Sequence, residues 1–330
     1  MEQKFNWPVI GHQKVQDYLQ KSLKNGKIYP AYLFIGPKSV GKRTLARYFI
    51  SSLHCSNNQK GEQLPCNECG HCLQLKKNIH PDFYSLEKHE DKKNVSIEQV
   101  RELISKLNKK SFLSKYKIAL IANVDKLGLE AANSLLKTLE EPSANTVIIL
   151  TATSRENLLP TIVSRCQVVS FQPVKKDEIY NHVLSKKDDR EIAKEFSNLS
   201  YGMPGKAINL LNNQESLAIQ HKDNLNFLKA INSNKINQRI GFIDSFVSKC
   251  KNFENLLDNW SLILRDLMIV TLKQNNLVTN RSLLSELEKS ANNFETTRIR
   301  GAIKMIENSK KDLSKNANPK LVLENLIINI

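Results

Sequence analysis

The stretch AYLFIGPKSVGK, Ala31 to Lys42, constrains this chain more than any other. An unbroken apolar run meets a loop bounded by glycines, and the pattern KRTLARYFISSL follows with Leu45, Phe49 and Leu53 at helical spacing. Buried strand, tight loop and helix in that order are the setting in which G-x-x-x-x-G-K binds phosphate: backbone N–H groups cradle the oxygens and the lysine reaches the β and γ phosphates. Gly36, Gly41 and Lys42 therefore retain the means to hold ATP. The next residue should carry the hydroxyl that holds Mg2+. Arg43 stands there instead, and Thr44 comes one place late.

The alternation continues downstream. DFYSL predicts a short strand and SIEQVRELISKL a helix whose Ser96 and Gln99 fit a capping box. KIALIA predicts a buried strand, LEAANSLLKTLEE a helix stopped by Pro142, and TVIILTA another buried strand. PTIVSRC then predicts a short helix carrying Arg165, and QVVSF a last strand. Strands apolar throughout and separated by helices imply a parallel sheet covered on both faces, an α/β domain over residues 1–173. Past Gln172-Pro173 the apolar residues recur at three and four, predicting a small helical domain over 174–213 and a longer all-helical domain over 214–330.

A hydrolysing enzyme of this type also needs an Asp for Mg2+ and commonly a Glu to activate water, at the end of the strand after the first helices. There the chain has Ala122-Asn123. Asp125 lies past the strand end and reads as a loop or cap residue. With the hydroxyl displaced and the acidic pair absent, no ATPase activity is expected of the chain alone.

Four of the six cysteines lie together as C-x10-C-x2-C-x2-C: Cys55, Cys66, Cys69 and Cys72. No apolar run of roughly 18 residues and no basic-then-apolar leader occurs, so no membrane role and a cytoplasmic setting are expected. Disulfides are rare in that setting, and clustered thiolates are what a tetrahedral structural Zn2+ requires. A zinc module is expected at about residues 55–75, with His54 and His71 beside the ligands. Cys166 and Cys250 read as reduced thiols.

The formal net charge of +16 is compatible with a polyanionic neighbour such as nucleic acid. Much of the surplus is lysine spread along the chain, and the densest run, KLNKKSFLSKYK from Lys106 to Lys117, reads as a solvated helix end and loop.

AYLFIGPKSVGK, the four-cysteine insertion, HPD (His80 to Asp82), NSLLKTLEEP, LLPTIVSRC and GMPGKAINLL together resemble the delta-prime family of bacterial DNA polymerase III clamp-loader subunits. The similarity spans roughly residues 8 to 215. Beyond that it rests on helical character and on ILRDLM. The resemblance implies an AAA+ module, P-loop NTPase-like, with an inserted zinc module, a helical lid and an all-α collar. Through the collar the chain would join gamma or tau and delta in a five-membered ring that loads the sliding clamp onto primer-template DNA, as part of the polymerase holoenzyme. It further implies a subunit that does not hydrolyse ATP, whose Arg165 acts in trans on a neighbour's nucleotide. An ATP-hydrolysing gamma or tau subunit is the nearest alternative, and Arg43, Ala122-Asn123 and the PGK of Pro204 to Lys206 depart from it. A stand-alone zinc-containing DNA-binding protein, the alternative of another class, would not need the nucleotide-binding core.

Overall fold

The computed structural model describes residues 4–59, 63–87, 95–233, 235–247, 250, 253–315 and 317–330. The first three residues of the N-terminal stretch, and residues 60–62 of the expected zinc module, lie outside the described residues. Two compact units divide the chain, 1–208 and 209–330.

In the first unit, α1 (Gln13–Lys24) precedes β1 (Ala31–Ile35), and α2 (Lys42–His54) leads into α3 (Gly70–Lys76). Then come β2 (Phe83–Leu86), α4 (Ile97–Leu107), β3 (Lys117–Ile121), α5 (Leu129–Glu140) and β4 (Thr146–Ala152). After α6 (Pro160–Val163) and β5 (Gln167–Ser170) come α7 (Lys176–Lys187), α8 (Arg190–Leu199) and α9 (Pro204–Asn212), which runs past residue 208 into the second unit. The five strands form one sheet in the order β2-β3-β4-β1-β5, every pairing parallel. This is the expected α/β architecture.

Successive strand residues face opposite sides of a sheet, so strands covered on both sides must be apolar throughout. Ala31, Leu33, Ala119, Ile121, Ile148 and Leu150 join one buried cluster with Val100 and Leu103 of α4 and Leu135 and Leu139 of α5. Their neighbours Tyr32, Phe34, Ile118, Leu120, Val147 and Ile149 join another with Leu19 of α1 and Leu45, Phe49 and Ile50 of α2. The Ser96 and Gln99 capping box is formed in both directions and starts α4 as expected.

PTIVSRC departs in detail from its prediction. Helix α6 ends at Val163 with Ser164 as its C-cap, which puts Arg165 in the turn beyond it rather than on the helix. The reason is register: Gln167 must already be extended to pair opposite Tyr32.

The second unit continues with α10 (Gln214–Asn232), α11 (Ile236–Val247), α12 (Phe253–Thr271), α13 (Leu284–Ala291), α14 (Thr296–Ser314) and α15 (Pro319–Asn329). Leu256, Leu257, Trp260, Ile263, Leu264 and Leu267 of α12 are buried at three- and four-residue spacing. The Trp260 ring stacks on Phe227 at 4.6 Å. Asp266 is fully buried, accepting from the Asn280 backbone N–H at 2.8 Å and from the Asn280 side chain at 2.7 Å. No helix among the described residues is long and apolar enough to cross a membrane.

Candidate functional site

The glycine loop leaves β1 at Gly36 and enters α2 at Lys42, as its sequence context requires. A Cβ on Gly36 would lie 2.4 Å from the Phe171 carbonyl oxygen, so only glycine lets the loop turn against the chain leaving β5. Lys42 is buried, and its ammonium donates to the Gly36 carbonyl at 2.5 Å and the Pro37 carbonyl at 2.8 Å. Burial holds its pKa down at about 8, partly opposed by the negative charge of Asp125. Two contacts not legible in the motif brace the loop. The His12 ring Nε2–H donates to the Val40 carbonyl at 2.8 Å, and the Gly205 N–H at the start of α9 donates to Ser39 O at 2.8 Å. At Gly205 a Cβ would meet Ser39 O at 2.9 Å, which explains a glycine in the first turn of that helix.

Arg43 turns away from the loop and pairs with Glu87 beyond β2 at 2.5 Å. Thr44 is exposed on α2. At the end of β3, Asn123 has a left-handed backbone and donates its N–H to Thr151 Oγ1 at 3.1 Å. Asp125 follows in a short 3-10 turn; its Oδ2 accepts from the Thr153 N–H at 3.1 Å and from the Thr153 hydroxyl. It thus ties the end of β3 to the end of β4, and its Oδ1 is buried without a hydrogen-bond partner among the described residues. The Mg2+-holding pattern of a hydrolysing loop, a hydroxyl after the lysine and an Asp-Glu pair ending β3, is not assembled here.

The other end of α2 is Cys55. With Cys66, Cys69 at the start of α3 and Cys72 in its first turn, it brings four sulfurs within 4.8 Å of one another. Cys66 and Cys72 Sγ are 4.0 Å apart, close to the roughly 3.8 Å edge of a tetrahedron of thiolates about 2.3 Å from Zn2+. The N–H groups of Cys66, Cys69 and Cys72 point at Cys55, Cys66 and Cys69 Sγ at 3.4, 3.3 and 3.5 Å, donors of the kind that stabilise ligating thiolates. The hydrogen bond from the Cys72 thiol pushes Cys55 down to about 5. This cluster could hold a metal ion, and an all-sulfur donor set suits Zn2+ rather than a hard cation. His54 and His71 stand outside it: the buried His54 ring packs on His80 at 4.5 Å with no hydrogen-bond partner among the described residues, and His71 Nδ1 lies 2.9 Å from His80 Nε2.

Arg165 is not near the loop. It lies in the turn two residues before β5, whose first residue Gln167 pairs with Tyr32, so it enters the sheet at the end of β1 away from Gly36. Tyr32 and Gly36 are separated by about 13 Å along the strand. Its guanidinium donates to the Thr161 carbonyl at 2.9 Å and pairs with Glu140 at the end of α5.

A family model described as DNA polymerase III, delta subunit, matches residues 11–175, half of the chain. The chain belongs to this family of DNA polymerase III clamp-loader subunits. The delta-prime subunit of Bacillus subtilis (strain 168) is 26% identical over 318 residues, covering 96% of this chain and 94% of that protein. A gamma subunit from Buchnera aphidicola subsp. Schizaphis graminum is 29% identical over 95% of this chain and 92% of its own length. The Pseudomonas aeruginosa delta-prime subunit is 39% identical over 136 residues, 41% of either chain. The kinship read from the sequence motifs therefore holds.

Proposed function

We propose that this subunit acts as a delta-prime-type stator of a five-membered clamp loader, in which it hydrolyses no ATP itself and lends Arg165 to the nucleotide of a neighbouring gamma or tau subunit. The observation that carries the reading is the separation of Arg165 from this chain's own loop by the length of the sheet. An arginine so placed reaches a phosphate only on another subunit. Arg43 paired with Glu87, and Asn123 and Asp125 engaged with β4, supply no substitute for the missing magnesium ligands.

In this reading the ring, with delta as a further member, loads the sliding clamp onto primer-template DNA in the cytoplasm. The helical second unit is the collar where subunits join. The four cysteines hold a structural Zn2+ with no open position for a reactant, and the metal locks the end of α2 to the start of α3. When bound, it supplies no reaction step. Gly36, Gly41 and Lys42 remain able to hold ATP without turning it over.

Arg165 contributes by stabilising charge on the transferring phosphoryl group, an effect typically of 10³ to 10⁵ in rate. The Glu140 pair holds the side chain at the surface until a neighbour's more concentrated phosphate charge displaces it. The test is the reconstituted loader carrying Arg165→Ala: co-elution with the other subunits is retained, and DNA-stimulated ATP turnover falls by roughly 10³ or more at the site it serves. Unchanged turnover removes the trans role. DNA-stimulated hydrolysis by the purified chain alone would instead favour a gamma-type motor.

A further inference from the structure

The cysteine cluster and the loop between α4 and β3 lie far apart in the chain, yet a short hydrogen-bonded path joins them. The loop is held at its root and at its crest. At the root the buried Lys117 ammonium donates to the carbonyls of Leu107 and Lys109. At the crest the buried Asp82 carboxylate accepts from three successive backbone N–H groups, of Phe112, Leu113 and Ser114, at 2.6, 2.7 and 2.9 Å, and from the Ser114 hydroxyl at 3.0 Å. Phe112 is 81% exposed and Leu113 50%, so side-chain packing holds little of the crest and the carboxylate holds most of it. Burial raises the Asp82 pKa, but these donors outweigh it and keep the carboxyl below its usual range.

Asp82 is seated in turn by a histidine. Its own N–H donates to His80 Nδ1 at 3.1 Å, which assigns the proton of the neutral ring to Nε2. That Nε2–H then donates to His71 Nδ1 at 2.9 Å. The buried His80 ring also packs on His54 at 4.5 Å and on His71 at 5.2 Å. His54 directly precedes Cys55, and His71 directly precedes Cys72. The slot for His80 is therefore built from the chain neighbours of two of the four sulfurs. Among the described residues the buried apolar cluster at this corner is only Cys55, Leu64 and Cys72, with Phe5, Cys66 and Cys69 packed against it. So small a core holds a slot open weakly, and a metal ion supplies the tie it lacks.

We propose that a metal ion on the four cysteines also fastens the loop between α4 and β3, with His80 as the positioning residue that connects them. Ligation fixes Cys55 and Cys72, and through them His54 and His71. His80 is gripped by those two rings, and it aims Asp82 at the three amides. Loss of the metal opens the slot and frees the crest, while the root on Lys117 stays closed. The inference rests on the zinc reading of the cluster and is independent of the Arg165 assignment.

The test is hydrogen exchange of the full chain, with zinc bound and after its removal by a chelator, read by mass spectrometry on peptides that cover α4 and the loop. Without zinc the Phe112–Ser114 amides should exchange at least about tenfold faster, the loss expected of hydrogen bonds to a charged acceptor. The amides of α4 should change by less than about twofold. His80→Leu fills the slot but offers neither ring nitrogen. At saturating zinc it should already show the fast exchange at Phe112–Ser114, and stripping the metal should add nothing. His71→Phe keeps a ring in place without the acceptor and should loosen the same amides by a smaller factor. Exchange at Phe112–Ser114 that is the same with and without zinc overturns the proposal. So does slow, metal-dependent exchange in His80→Leu. If stripping loosens α4 as much as the crest, the zinc-bound variants decide, and wild-type protection in both of them overturns it. Metal analysis separates the two readings: a chain that takes up no zinc counts against the zinc site itself, whereas bound zinc with an indifferent loop counts against the connection alone.

Discussion

Helix α2 has a candidate ligand site at each end, and the two differ in completeness. At its C-terminal end four sulfurs converge on one point and backbone N–H groups support them. At its N-terminal end the cradle is shaped for phosphate, but the residue after the lysine points elsewhere and the acidic pair is missing. The lysine meanwhile is engaged by carbonyls of its own loop. A closed donor set makes a site that holds its metal for structure. A shaped cradle without cation ligands can hold a ligand but lacks the charge neutralisation that breaking a phosphate bond needs.

The contrast is tested most severely at the cysteines. Cys69→Ser should lower bound zinc from one per chain towards none, measured by metal analysis, because removing one thiolate forfeits much of a binding free energy of about 10 kcal/mol or more in comparable sites. Retention of a full equivalent would break the comparison at its stronger end. Next in size, Gly36→Ala forces a Cβ against the Phe171 carbonyl and should destabilise the first unit by about 3 kcal/mol, seen as a lower urea midpoint. An unshifted midpoint would show that the loop relaxes at no cost.

A smaller effect concerns Lys42. If the loop takes phosphate, Lys42 would hold it through the charged ammonium, and burial lowers the pKa of that group from 10.5 to about 8. Affinity for a non-hydrolysable ATP analogue should therefore be level below pH 8 and fall by about tenfold per pH unit above it, with calorimetry as the readout. The stability term has the opposite sense: between about 8 and 10.5 the unfolded chain holds this proton more tightly than the folded one, so stability from Lys42 rises with pH. Affinity that stays flat to pH 10 would remove Lys42 from phosphate binding. The least effect is expected of Arg43→Thr, which breaks an exposed ion pair worth less than about 1 kcal/mol. It should leave steady-state ATPase absent because Ala122-Asn123 is unchanged, and any hydrolysis gained would mean that the displaced hydroxyl was the sole defect.

Much of the α/β unit was legible in advance because its strands are apolar on both faces, a pattern that arises when helices cover a parallel sheet on both sides. The Ser96 cap and the cysteine spacing were legible for the same reason: they act over a few residues, where sequence distance and spatial distance nearly coincide. The hold of Asp82 on the loop before β3 was not legible. KLNKKSFLSKYK looks like a solvated loop until Asp82, thirty residues before Phe112, is seen to collect its backbone amides. The position of Arg165 beyond its helix, and the Gly205 contact with Ser39, were hidden likewise.

By itself, then, the sequence determined which chemistry each local segment can support: a phosphate cradle without magnesium ligands, a tetrahedral thiolate set, a buried parallel sheet. Only the tertiary structure decided direction and reach. It placed Arg43 on Glu87, put Arg165 at the opposite end of the sheet from Gly36, and stapled Phe112 and Leu113 outward. The physical reason is that parallel pairing between strands far apart in the chain sets which ends meet, and no local pattern carries that register.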